Sequence, residues 1–165
     1  MSLGLSELVQ LVFPDLVRLA SPEISRRLIL AAGALYFTLN AGERKRIERN
    51  VDDLVGKGAM AKAAMRSVLA HIAEHYFEKL LVANRSMPFL RSFVRDRVRV
   101  EGLGRLDEAL AAGKGALAVT AHWGAVELIP PVLVERGYPL TIILETKTLR
   151  LRAALERLVA GADVE

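Results

Sequence analysis

The sequence predicts an α/β protein, with a helical N-terminal half followed by the start of a β-α-β-α parallel sheet. Three observations point there. Apolar residues recur at helical spacing through the first hundred positions. Two short apolar runs, Gly115 to Ala121 and Leu140 to Leu144, then have the look of strands buried on both faces. Each run is followed by a helical segment that stops at a glycine, the pattern of strands joined by crossover helices.

Taken in order, Ser6 can cap a short helix that Pro14 interrupts. Ser21-Pro22-Glu23 supplies a cap, a proline at the first helical position and an acid in the first turn, opening a helix that runs to about Asn40. A basic helix follows from Glu43 to Val55 and stops at Gly56. The longest helix spans Ala59 to Val82, with Met65, Val68, Leu69, Ile72, Tyr76 and Leu80 at helical spacing. Pro88 marks a break before another short helix.

The character changes near Val98, which sets the expected boundary between a helical region, 1–97, and the first part of an α/β core, 98–165. Val98 to Gly102 alternates like a short strand, and Leu103 to Ala112 reads as a helix closed by Gly113. The first buried strand, Gly115 to Ala121, leads to a helix from Ala125 to Arg136 despite Pro130 and Pro131 inside it. The second strand, Leu140 to Leu144, leads to a helix from Leu149 to Val159. Two core strands and one flanking strand make a small sheet with open edges. The sheet is therefore expected to continue beyond Glu165, and this piece to self-associate through its open edge.

Composition narrows the partners. The chain has no cysteine, which excludes disulfides and thiolate metal sites. Its net charge of +4 favours an acidic partner, such as an anionic bilayer or an acidic carrier protein. Nucleic acid is not expected, since no aromatics interleave with the base and no recognition motif occurs. The N-terminus lacks a basic leader and carries Glu7 and Asp15, so no cleavable signal peptide is read. The longest uncharged stretch, Leu28 to Gly42, is shorter than the ~20 residues of a spanning helix. With Arg26, Arg27 and the base of Arg44 to Arg49, it predicts peripheral, salt-sensitive binding to anionic membranes.

Chemistry concentrates in Thr120-Ala121-His122-Trp123-Gly124-Ala125-Val126-Glu127-Leu128. His122 stands at a predicted strand end and Glu127 in the first turns of the next helix, where sites of open α/β sheets gather. An imidazole oriented by a carboxylate can take a proton from an acceptor hydroxyl. The helix N-terminus adds N–H groups for an oxyanion or an anionic headgroup. Neither of the other histidines has an acid five residues on: Tyr76 follows His71 and Leu80 follows His75. The competing reading is a histidine that caps the helix beside an unrelated surface glutamate. His71-Ile72-Ala73-Glu74-His75 has the spacing of an inverted zinc-protease motif, but Tyr76-Phe77-Glu78-Lys79 continues an ordinary amphipathic helix, so no metal is expected.

His122 and Glu127, with four residues between them, resemble the His-x4-Asp/Glu motif of glycerolipid acyltransferases in the lysophospholipid acyltransferase superfamily. Val98 to Leu128 is similar to the lipid A biosynthesis (lauroyl/myristoyl) acyltransferase branch. There a Gly-x-Gly entry to an apolar strand precedes His-aromatic-Gly and then Glu. Arg49-Asn50-Val51 and the long helix before Val98 are also similar, so the resemblance covers about Glu43 to Val159.

It implies a peripheral enzyme at the cytoplasmic face of the inner membrane, whose helical region packs on its catalytic core. His122 is then the general base and Glu127 its orienting acid. The donor is an acyl thioester, of acyl carrier protein or coenzyme A, and the acceptor a glycolipid or lysophospholipid hydroxyl. No cofactor is implied. Gly124 would border the substrate, and Trp123 reads as a packing or interfacial residue, with a place beside the substrate as its competing role. Where the family often has Tyr-Arg-Pro and Asn-Pro, this chain has Glu145-Thr146-Lys147-Thr148, and Lys147 or Arg150 would take the anion-binding part. The alternative is a non-catalytic module that binds a membrane or a partner and keeps the motif as scaffold.

Overall fold

The structure, a computed structural model, describes residues 13–121, 124–143, 152, 153 and 156. The chain forms two compact units, Met1–Arg85 and Ser86–Glu165.

The first unit contains four described helices: α1 (Pro14–Leu19), α2 (Pro22–Leu39), α3 (Ala41–Val55) and α4 (Ala59–Asn84). Pro14 does not interrupt a helix among the described residues but stands in the first turn of α1, where its missing N–H has no intrahelical partner to lose. At the start of α2 the Ser21 hydroxyl accepts the Ile24 N–H at 3.3 Å, and Pro22 takes the first helical position. Asn40 closes α2 by donating its amide to the Tyr36 carbonyl at 2.9 Å. Gly56 ends α3 with φ 76, a conformation that a side chain disfavours.

The centre of this unit is α4, against which α1, α2 and α3 all pack. Three pairs fix an antiparallel course for α2 and α4. Gly33 lies so close to Ala73 that a Cβ at Gly33 would stand 2.9 Å from the Ala73 Cβ. Arg26 makes a two-pronged ion pair with Glu74, its Nε 2.9 Å from Oε2. Arg85 donates to the Ala20 carbonyl beyond the end of α1. Val17, Ile29, Phe37, Phe77, Leu80 and Leu81 fill the space between these helices. Buried Ser25 is satisfied by the Leu16 carbonyl at 3.4 Å.

The Leu28 to Gly42 stretch divides between two environments. Ile29, Gly33, Tyr36 and Phe37 are core, while Leu28, Leu35 and Leu39 face outward. In α3 the base is balanced: Arg44, Lys45, Arg46 and Arg49 stand against Glu43, Glu48, Asp52 and Asp53.

The second unit contains α5 (Met87–Arg97), α6 (Leu103–Ala111), a 3₁₀ turn (Val126–Leu128) and α7 (Ile129–Glu135). Leu90 and Val94 of α5 are buried, as are Pro131, Val132 and Val134 of α7, and Arg95 reaches Glu135 at 2.9 Å across the pair. Gly102, at φ 81, opens α6, whose side chains are all outside the core.

The expected α/β class is overturned. The described residues contain helices and turns but no strand and no sheet. Val98 to Gly102 and Gly115 to Ala121 have no regular structure, nor do Leu140 to Ile143; Leu144 lies outside the described residues. The physical reason is that an apolar run becomes a buried strand only if neighbouring strands pair its backbone and cover its faces. Here Leu117 and Val119 are 87% and 88% exposed and Ile143 is 91% exposed. Without a ladder, the open-edge argument for self-association loses its basis. Most of the helix expected from Leu149 to Val159 lies outside the described residues, as does the one expected at Ser6; Arg152, Ala153 and Glu156 are helical.

Candidate active site

Of the residues singled out in the sequence, Gly124 and Glu127 are described, whereas His122, Trp123, Lys147 and Arg150 lie outside the described residues. Gly124 and Glu127 share one tight turn. Gly124 has φ 62, a left-handed conformation that a side chain disfavours. The Val126 N–H donates to the Gly124 carbonyl at 2.9 Å, and the Leu128 N–H to the Ala125 carbonyl at 3.0 Å. Leu128 is buried and anchors the turn. Glu127 is half-buried between these anchors and is not without an interaction partner.

The helix expected from Ala125 begins later, at Ile129, so Glu127 precedes α7 rather than belonging to its first turns. The prolines explain the delay. Pro130 and Pro131 fall among the first three residues of α7, where no intrahelical N–H bond is required of them. Their position has a chemical cost. A helix N-terminus stabilises an oxyanion through its N–H groups, and two of the three opening residues have none. The Ile129 N–H is itself committed to the Val126 carbonyl. The oxyanion role expected of this helix start is therefore not supported.

Two polar contacts in the same unit had no signal in the sequence. The Tyr138 hydroxyl donates to Asp107 Oδ1 at 2.5 Å, linking the segment after α7 to α6. The Asp107 carboxylate, by accepting that proton, raises the Tyr138 pKa above its ordinary value, helped by partial desolvation. The second is the Arg95–Glu135 pair, 40 positions apart in sequence.

The histidine pair of α4 is occupied otherwise. His71 Nδ1 lies 2.7 Å from the Ser67 carbonyl oxygen, and Glu74, the base that a zinc site would need, is held by Arg26. Among the described residues no helix is long and apolar enough to cross a membrane.

No curated protein and no solved structure matches the chain. The bacterial lipid A biosynthesis acyltransferase family matches residues 8–156, a range that spans both compact units and contains His122 and Glu127. The chain belongs to the bacterial lipid A biosynthesis acyltransferase family.

Proposed function

We propose that this protein is an O-acyltransferase moving a fatty acyl group from a thioester of acyl carrier protein or coenzyme A to a hydroxyl of a glycolipid or lysophospholipid. The observation that carries this reading is the family match across residues 8–156, with a His-x4-Glu motif inside it. The anchored turn supports it too. The left-handed Gly124 and buried Leu128 hold the backbone on either side of Glu127 in one turn.

In this mechanism His122 removes the proton of the acceptor hydroxyl as its oxygen attacks the thioester carbonyl carbon. The C–O bond forms, a tetrahedral adduct follows, and the C–S bond then breaks. The imidazolium returns the proton to the departing thiolate, so acceptor and donor leave as ester and thiol with no net change at the enzyme. Glu127 favours the imidazolium and holds the ring in register. Trp123 and Gly124 border the acceptor, Lys147 or Arg150 binds an anionic group of substrate, and the enzyme works peripherally at the cytoplasmic face of the inner membrane.

Transfer from an acyl thioester to a lipid acceptor, measured beside thermal stability, tests the proposal. His122→Ala should lower turnover by about 10²–10⁴-fold at unchanged stability, and Glu127→Gln should lower it less. If His122 only caps the helix, its removal costs about 1 kcal/mol of stability and leaves turnover nearly intact. A stable, fully active His122→Ala protein ends this mechanism.

A further inference from the structure

Among the described residues of the first unit, the outer face of α2 is an exposed apolar stripe. Ile24, Leu28, Leu35 and Leu39 are spaced by four, seven and four residues, which puts them on one side of the helix, and each is exposed, Leu35 by 60% and Leu39 by 73%. Ala31 fills the gap between Leu28 and Leu35 and is exposed as well. The opposite side of the same helix is committed to α4 through Ile29, Gly33 and Phe37. At 18 residues α2 is short for a bilayer span, and among the described residues no helix is long and apolar enough to cross a membrane.

The charges along the stripe have one sign. Between Glu23 and Glu43 the only charged residues are Arg26 and Arg27. Arg26 is turned to Glu74 on α4, while Arg27 is exposed beside Leu28. The basic run of α3, which the sequence offers as the membrane contact, carries as many acids as bases and gives no net attraction to an anionic surface. We infer that α2 lies in the plane of an anionic bilayer, with Ile24, Leu28, Leu35 and Leu39 entering the acyl boundary and Arg27 at headgroup level. The choice of a lipid occupant rests on the proposed function, in which the acceptor is itself a membrane lipid.

Flotation of the whole chain with phosphatidylcholine vesicles, with and without phosphatidylglycerol, tests this. The double variant Leu35→Gln/Leu39→Gln should bind anionic vesicles at least about tenfold more weakly, since two leucines leave the acyl boundary. Arg27→Gln should narrow the preference for anionic over neutral vesicles. Arg44→Gln/Arg46→Gln should bind like the parent. Circular dichroism should be unchanged in all three, because the replaced side chains are exposed; if the double variant loses helicity, Leu39→Gln alone decides. Unchanged vesicle binding by the leucine variant overturns the inference, as does a larger loss from Arg44→Gln/Arg46→Gln. So does a dimer in sedimentation that Leu35→Gln/Leu39→Gln makes monomeric without affecting vesicle binding, which would assign the stripe to a second copy. Transfer to a detergent-dispersed acceptor separates the two proposals. If parent and variants bind vesicles as expected but none transfers acyl groups, the membrane surface stands and the proposed reaction falls.

Discussion

The two units of this chain differ in what holds them and in what they expose. In the first, one central helix collects three others around a continuous core of Val17, Ile29, Phe37, Phe77 and Leu81, and side chains such as Ser25 and Arg26 have specific partners. In the second, the described core is small, built by Leu90, Val94, Leu128, Val132 and Val134, and long stretches between helices are exposed. The residues expected to do chemistry belong to this second, loosely furnished unit. A stable frame and a turn-borne site are thus separate parts of the sequence, and substitutions should separate them.

The largest expected effects break the comparison in opposite directions. Leu81, fully buried in α4, should cost about 2–5 kcal/mol of stability as Leu81→Ala, read as a lower urea midpoint. His122→Ala should do the reverse, abolishing most turnover while leaving that midpoint in place. A single substitution that moved both readouts equally would show that site and frame are one cooperative whole.

A smaller effect should come from Gly33→Ala. Alanine favours a helix over glycine by about 1 kcal/mol, but here its methyl would meet the rigid Ala73 Cβ at 2.9 Å. Overpacking of this kind costs about 1–3 kcal/mol, so the expected outcome is a net loss of about 1 kcal/mol in denaturant unfolding. A gain in stability would mean that α2 and α4 can part without penalty.

The smallest effect concerns the second unit. The Tyr138 pKa is raised by its bond to Asp107, so the folded state holds that proton more tightly than the unfolded chain. Its contribution is fully present below the ordinary tyrosine value of 10.0 and is lost as pH rises through the higher folded value. Tyr138→Phe should therefore lower stability slightly at neutral pH, where the bond to Asp107 is intact, and flatten the alkaline end of a stability-versus-pH curve, the two proteins converging there. An identical alkaline decline in Tyr138→Phe would assign that decline to other groups, Tyr76 among them, whose burial raises it in the same sense.

What was legible in the sequence was local. Ser21-Pro22 and Gly56 mark helix ends because caps and left-handed turns are decided within a few residues. The His-x4-Glu motif was legible by resemblance. The sheet was misread because the runs around Leu117 and Ile143 report apolarity alone, and pairing depends on residues distant in sequence. Tyr138 and Asp107, 31 positions apart, gave no signal for the same reason. The turn at Glu127 was half legible: Pro130-Pro131 warns of a disturbed helix, and the structure places the disturbance at the helix start.

The approach of Gly33 to Ala73 links two positions that lie on different helices. The gap holds one methyl group, and it does not matter which helix supplies it. The exchange Gly33→Ala/Ala73→Gly would keep the count at one, so the double variant should recover much of the stability that Gly33→Ala loses, a coupling that neither single change reveals. Related chains that keep this helix pairing would then carry small residues at both positions and drift between them as a pair. Their histories of substitution would be joined even where neither residue touches a substrate.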